Sequence, residues 1–208
     1  MVLYAISMAF EIELKAHIKD FKALKDLLLE KAEYKWAFIK EDTYWFPGFG
    51  CSDGISPRGT GDLLPSGLRV RREEHSFPNG KEEAQVFITY KIKEVKDGIE
   101  INEEREFEIL GASGEFEELL RRLGLKIGIA KRKRGWAFLC DAINAELTEV
   151  EGLGWFLELE ILADNNREET ITQSREKLMK YLDSFGIKRE AIESRYYSEM
   201  LRGLDLVK

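Results

Sequence analysis

Glu11-Ile12-Glu13-Leu14-Lys15 is the stretch that decides the fold. In an extended strand successive side chains point to opposite faces. Phe10, Ile12 and Leu14 therefore share one face, and Glu11, Glu13 and Lys15 share the other. A single strand of this kind reads as an ordinary half-solvated one, but the pattern recurs. Arg69 and Arg71 flank Val70, and Lys91 and Lys93 flank Ile92. Glu104, Glu106 and Glu108 alternate with Arg105 and Phe107; Lys131 and Lys133 sit in a basic run; Glu158 and Glu160 flank Leu159. If these strands close into one barrel, charges of both signs face one cavity. Its carboxylates suit hard metal ions and its cations suit phosphates.

Composition narrows the classes. The chain has 208 residues, of which 44% are hydrophobic, so it can bury a core; 34% are charged, above the usual quarter. No repeat, low-complexity tract or linker divides it, and residues 1–208 read as a single domain. The net charge of −7 argues against non-specific DNA binding, although local basic clusters can still hold phosphate. Gln occurs only at Gln85 and Gln173 beside many Glu and Lys, a composition that suggests a thermophilic source. Cys51 and Cys140 form no CxxC pair, and His17 and His75 are the only histidines, which disfavours a zinc site and a Ser-His-Asp hydrolase. The chain reads as reduced and cytoplasmic. Met1 to Phe10 is apolar but lacks the basic start and length of a signal peptide, and no run approaches membrane-spanning length. Met8 offers a second start that leaves the first charged strand whole.

Along the chain, Asp20 reads as the N-cap of a helix reaching to Tyr34, with Leu24, Leu27 and Leu28 at helical spacing. Asp42 to Trp45 reads as a strand, and Pro47 to Gly67 as a long loop rich in Gly, Pro, Ser and Asp, either a surface loop or a lid. Leu68 to Glu73 and Ala84 to Val95 read as paired strands joined by a turn at Pro78-Asn79-Gly80; Asp97-Gly98 turns into a strand over Gly98 to Leu110. A helix capped by Ser113 runs to Leu123. Ile127 to Cys140, Ile143 to Thr148 and Trp155 to Leu162 read as strands, and Thr170 to Phe185 and Lys188 to Leu201 as helices. The class is α+β, antiparallel strands with helices outside them.

Glu11-x-Glu13-x-Lys15 resembles the E-x-E-x-K signature of the CYTH superfamily, which includes class IV adenylyl cyclases, thiamine triphosphatases and other triphosphate tunnel metalloenzymes. Further stretches agree in order. Asp42-Thr43-Tyr44-Trp45 is similar to the family's D-x-Y-F element and Leu68-Arg69-Val70-Arg71 to its L-R-x-R. Thr89-Tyr90-Lys91 and Arg105-Glu106-Phe107-Glu108 resemble its central strands. Val150-Glu151-Gly152-Leu153-Gly154 through Glu160 is similar to V-x-G-L-G-x-F-x-E-x-E, and Ser194 to Leu201 to the S-Y-x-E-L tail of cyclase-like members.

The resemblance implies a closed eight-stranded antiparallel β-barrel, open as a tunnel, with flanking helices. It implies a triphosphate ligand (ATP, inorganic triphosphate or thiamine triphosphate) with Mg²⁺ or Mn²⁺. Glu11, Glu13, Glu158 and Glu160 are then the expected metal ligands. Lys15, Arg69, Arg71, Lys91, Lys131 and Lys133 are the expected phosphate-binding cations, and Glu13, Lys15, Arg71 and Lys91 the expected catalytic set. Several readings stay open. Glu104, Glu106 and Glu108 fit a solvated strand face equally well. Of the four cations Lys131 to Arg134 two must face outward, and spacing to Trp136 favours Lys131 and Lys133 inward, with a one-residue shift reversing this. Asp42 fits a metal ligand or a strand-start turn residue, His17 an inward or a surface residue; Tyr44, Trp45 and Phe156 read as packing residues. Where the family carries an acid two residues before Val150, this chain has Thr148, a departure that Glu146 could partly make good; it puts cyclisation in more doubt than hydrolysis. The alternative to an enzyme is a non-catalytic module that binds a nucleotide, polyphosphate or an RNA 5′-triphosphate. A homodimer is compatible with helices on one side of a barrel, but no stripe in the sequence is diagnostic of one.

Overall fold

The computed structural model describes residues 9–47, 68–96 and 98–205; the expected loop over 48–67 and the side chains of Lys91 and Lys93 lie outside the described residues. The chain runs β1 (Ala9–Ile18), α1 (Phe21–Lys31), β2 (Glu33–Pro47), β3 (Leu68–Ser76), β4 (Glu82–Lys96), β5 (Ile99–Ile109), α2 (Gly114–Arg122), β6 (Leu125–Cys140), β7 (Ile143–Val150), β8 (Gly154–Ala163), α3 (Glu168–Ser184), a 3₁₀ turn (Arg189–Ala191) and α4 (Tyr197–Asp205). The eight strands close in the order β1-β5-β4-β3-β2-β6-β7-β8, every pair antiparallel, as the sequence resemblance implied.

The alternation read from Glu11 to Lys15 sets which side of the wall is apolar. Ile12, Leu14 and Ala16 are fully buried, yet they face out of the barrel, packing in one cluster with Leu24 and Leu28 of α1 and Leu178 and Leu182 of α3. The hydrophobic core thus lies between the wall and its helices, and the barrel interior is left to polar groups. A second cluster joins Trp45, Val70 and Ile88 to Leu120 of α2, and a third sets Val150 and Phe156 against Tyr197 and Met200 of α4. Each buried Leu or Ile contributes about 1.5–3 kcal/mol by leaving water, so it is the outer face that holds the ring together.

Three sequence expectations are corrected. The helix from Asp20 ends at Lys31; Tyr34 belongs to β2, where it pairs with Phe138 of β6. The Asp20 carboxylate does cap it, accepting from the Ala23 N–H at 3.0 Å. Asp42 is no turn residue; it sits in the middle of β2. Lys188 to Leu201 is not one helix. Its centre lies along β1, where Ile192 bridges Ala16 and the Glu193 N–H donates to the Lys15 carbonyl at 2.9 Å, and these backbone bonds take the place of helical ones.

Gly135 is the tightest point of the wall. A Cβ there would lie 2.1 Å from the Leu147 carbonyl oxygen on β7, a backbone atom that cannot move without opening the sheet. Gly135→Ala is therefore expected to destabilise the fold by about 1–3 kcal/mol or more, read as a lowered Tm in thermal melts monitored by circular dichroism.

Candidate functional site

The inward faces of the strands enclose a cavity of about 340 Å³. Among the described residues, eight carboxylates and six cationic side chains line it. Like and unlike charges are not mixed at random. Arg69, Arg71, Lys131 and Lys133 come from β3 and β6, on either side of β2, while Glu11, Glu13, Glu158 and Glu160 come from β1 and β8. One wall is cationic and the facing one acidic.

The cationic wall is organised by Asp42, whose side chain is completely buried. Arg71 donates to it from Nε at 2.7 Å and from Nη2 at 2.9 Å, and the Lys131 ammonium lies 3.1 Å away. This is the bidentate fork that a guanidinium offers a carboxylate. Burial alone would raise the Asp42 carboxyl, but Arg71 and Lys131 hold it well below the ordinary range. Asp42 thus holds two cations at the cavity wall. Arg69 donates to Thr89 Oγ1 at 2.9 Å and to Glu106 Oε2 at 3.1 Å, with Glu104 at 3.5 Å. Glu104 and Glu106 therefore face inward, and Glu108, at the strand end, is exposed. Lys131 and Lys133 face inward while Arg132 and Arg134 pair outside with Glu41 and Glu149. Lys91 stands opposite Glu104 in the β4–β5 ladder.

Deeper, Lys133 lies 2.7 Å from Glu158, and Lys40 lies 2.6 Å from Glu146 and 3.3 Å from Glu73. Burial would raise the carboxyls of Glu158 and Glu73, yet both are held at about 2, the former by the Lys133 ammonium and the latter by the His75 hydrogen bond and Lys40. Tyr197, from α4, closes this network. Its hydroxyl donates to Glu158 at 3.0 Å, and the ammoniums of Lys15, Lys131 and Lys133 lie 5.5, 5.2 and 5.5 Å from its ring centroid. Burial and the nearby carboxylates push its phenol well above the usual value, so it stays a donor.

On the acidic wall, Glu13 stands in direct register with Glu160 on one side and Glu100 on the other. Lys15 pairs with Glu100. Like charges directly opposite on neighbouring strands repel, and a row of carboxylate oxygens is the donor set a hard divalent cation takes. Among the described residues no three acidic, His or Cys side chains are already gathered tightly enough to hold one. Glu158 is occupied by Lys133 and Tyr197. The donor chemistry fits a divalent ion.

Of the residues singled out in the sequence, Glu11, Glu13, Arg69, Arg71, Lys131, Lys133, Glu158 and Glu160 line the cavity, and Lys15 is buried beside it. His17 is half-exposed and bonded to Glu193 at 3.0 Å. Trp45 and Phe156 pack as expected, whereas Tyr44 faces the cavity, its hydroxyl accepting from Lys131 at 3.4 Å. Thr148 is fully buried with its hydroxyl unbonded, so no acid occupies that place, and Glu146 is tied to Lys40. Sequence reading missed Lys40, Glu73 and Trp36. The signal was present: extending the Asp42 strand backward puts Trp36, Phe38 and Lys40 on the same face as Asp42.

The pattern of the CYTH domain matches residues 60–197 of this sequence. The chain belongs to the CYTH family. Among its CYTH-like relatives, a Methanocaldococcus jannaschii protein provisionally named an adenylate cyclase is 30% identical over 93% of this chain and 99% of its own. The solved structure of a Pyrococcus horikoshii protein superposes with a TM-score of 0.74 at 28% identity, covering 93% of this chain and 98% of that one. A Hippeastrum protein, proposed as an adenylyl cyclase and described as having dominant triphosphatase activity, shares the fold at a TM-score of 0.61 and 18% identity, over 94% and 96% of the two chains. No described helix of this CYTH protein is long and apolar enough to cross a membrane.

Two predictions follow from the buried charges. Asp42, Glu73 and Glu158 all have carboxyls depressed in the folded state, so their contribution is complete above the unfolded value of about 4 and is lost as pH falls toward about 2. The Tm is expected to hold nearly level from neutral pH to about pH 5 and to drop steeply below about pH 4, as thermal melts across a buffer series will show. Asp42→Asn leaves Arg71 and Lys131 buried without their counter-charge, and urea unfolding is expected to show a loss of about 3–5 kcal/mol.

Proposed function

We propose that this protein is a divalent-metal-dependent enzyme that hydrolyses a triphosphate held inside the barrel. The observation that carries the reading is the segregation of charge: a cationic wall anchored by Asp42 faces an acidic wall built around Glu13 and Glu160. A polyphosphate needs the first and its counter-ions need the second. Arg69 and Arg71 offer guanidinium forks to phosphate oxygens, and Lys131, Lys133, Lys15 and Lys91 supply point charges. Glu11, Glu13 and Glu160 would hold Mg²⁺ or Mn²⁺, with Glu158 joining when Lys133 and Tyr197 release it. The ion, when bound, supplies Lewis-acid polarisation of a phosphoryl oxygen.

The chain's own part is positioning and charge stabilisation. Catalysis of phosphoryl transfer rests on both, since the transferred group spreads its charge over its equatorial oxygens. Arg71 enters already oriented by Asp42, so little freedom is lost when it grips an oxygen. The carboxylate of Glu13, facing the cavity, is placed to order a water for attack on the terminal phosphorus. Hydrolysis is preferred over cyclisation because Thr148 leaves no acid at the family's usual place and Glu146 is held by Lys40 and Lys133. Cyclisation of ATP is the second reading, favoured by the name of the Methanocaldococcus relative.

Purified protein incubated with ATP, inorganic triphosphate or thiamine triphosphate and Mg²⁺ or Mn²⁺ is expected to release orthophosphate. Cyclic AMP with pyrophosphate would establish the second reading instead, and tight binding with no product would make the protein a binding module. Glu13→Gln is expected to lower metal-dependent turnover by at least about a hundredfold while the Tm stays near that of the wild type; unchanged turnover would remove Glu13 from the metal set.

A further inference from the structure

The cavity changes character along its length. On β2 the inward side chains run from Tyr44, Asp42 and Lys40 to Phe38 and Trp36; on the neighbouring β6 they run from Lys131 and Lys133 to Gly135, Ala137 and Leu139. Two adjacent strands thus turn from charged to apolar toward the same end, where β2 begins and β6 ends. The change is built in by a register shift between Tyr34 and Trp36, which leaves Lys35 without a ladder partner and sets Trp36 opposite Ala137. Such bulges at barrel rims re-aim side chains.

Trp36 lines the cavity and is partly exposed to it. It is backed by His75, at 4.9 Å between ring centroids, and by Phe77, at 5.7 Å, which fix its plane. Its indole N–H is buried and has no hydrogen-bond partner. An unbonded buried donor costs free energy, and indole N–H groups ordinarily find partners. Lys35 and Asn144 also line this end. A flat apolar ring, an unused donor and two flanking polar side chains make a surface suited to a planar, acceptor-bearing heteroaromatic ring.

We infer that Trp36, Ala137 and Leu139 form a recognition subsite for the aromatic moiety of an organic triphosphate, with Trp36 the specificity-determining residue. This rests on the triphosphate reading above and refines it: the preferred ligand carries a ring on one end of its phosphate chain, and inorganic triphosphate fills the charged part alone. Both a neutral purine and a cationic thiazolium-pyrimidine present that chemistry.

The test is calorimetric binding of three probes, β,γ-methylene-ATP, thiamine triphosphate and inorganic triphosphate, to the wild type, Trp36→Ala and Trp36→Leu. The leucine variant retains an apolar wall and guards against loss of fold. Wild-type protein is expected to bind at least one aromatic probe about tenfold or more tightly than inorganic triphosphate, and both variants to lose about tenfold for that probe while changing less than about twofold for inorganic triphosphate. Which aromatic probe is favoured identifies the ring. If inorganic triphosphate binds the wild type as tightly as both aromatic probes, or if the variants weaken all three probes alike or none, the subsite is overturned and the triphosphate reading stands. If the wild type binds none of the three, both fall together.

Discussion

Burying charge is the constraint on which this structure depends. An isolated ion moved from water to a protein interior costs several kcal/mol even after relaxation, and among the described residues this barrel turns charges inward on seven of its strands. It is affordable only because each buried ion meets an opposite one in good geometry. Asp42 is the clearest case: one completely buried carboxylate holds Arg71 bidentately and Lys131 at 3.1 Å, and so permits two cations to stand inside. Lys133 with Glu158 and Lys40 with Glu146 repeat the device one layer on. The packing that stabilises the ring is displaced to its outside, where Ile12, Leu14 and Ala16 meet α1 and α3. Each strand serves both demands because its two faces are independent.

That independence also explains what could be read from sequence. The period of two in Glu11 to Lys15, and its recurrence near Arg69, Glu104 and Glu158, carries the strand type and which charges share a face, since register within a strand is fixed by alternation; it does not say whether that face turns inward, which is why Glu104 and Glu106 read equally well as solvated. The pairing of Glu13 with Glu160, or of Asp42 with Arg71, is a matter of which strands are neighbours, and no local pattern encodes it. Asp42 looked like a turn residue because a lone Asp before Thr-Tyr-Trp fits a strand start, and only the length of β2 shows it to be central. The break in Lys188 to Leu201 was invisible because its cause is a backbone bridge to Ala16, far away in sequence. Tyr197 lay within a recognised tail, yet its hydroxyl bond to Glu158 follows from α4 packing against the barrel end.

The division of the cavity into cationic, acidic and apolar sectors follows from strand order. β2, β3 and β6 are neighbours and carry Asp42, Arg69, Arg71, Lys131 and Lys133; β1 and β8 are neighbours and carry the carboxylates. A ligand inside is therefore gripped differently on its opposite sides, which is what orienting a phosphate chain against its counter-ions requires. Thr148, buried in the wall with its hydroxyl unbonded, stands where the sequence resemblance led us to expect an acid.

The ring order has a consequence for how the protein is made. β1 pairs with β5 on one side and with β8 on the other, so the first described strand needs the last before the circle shuts. Contacts between distant parts of a chain form slowly, because the entropy of loop closure must be lost before they are gained. The β1–β8 seam, which joins the strands most distant in sequence, is also the one that brings Glu13 beside Glu160. The acidic wall is thus built across the seam with the longest loop to close, so its two halves meet only when the whole ring is in place.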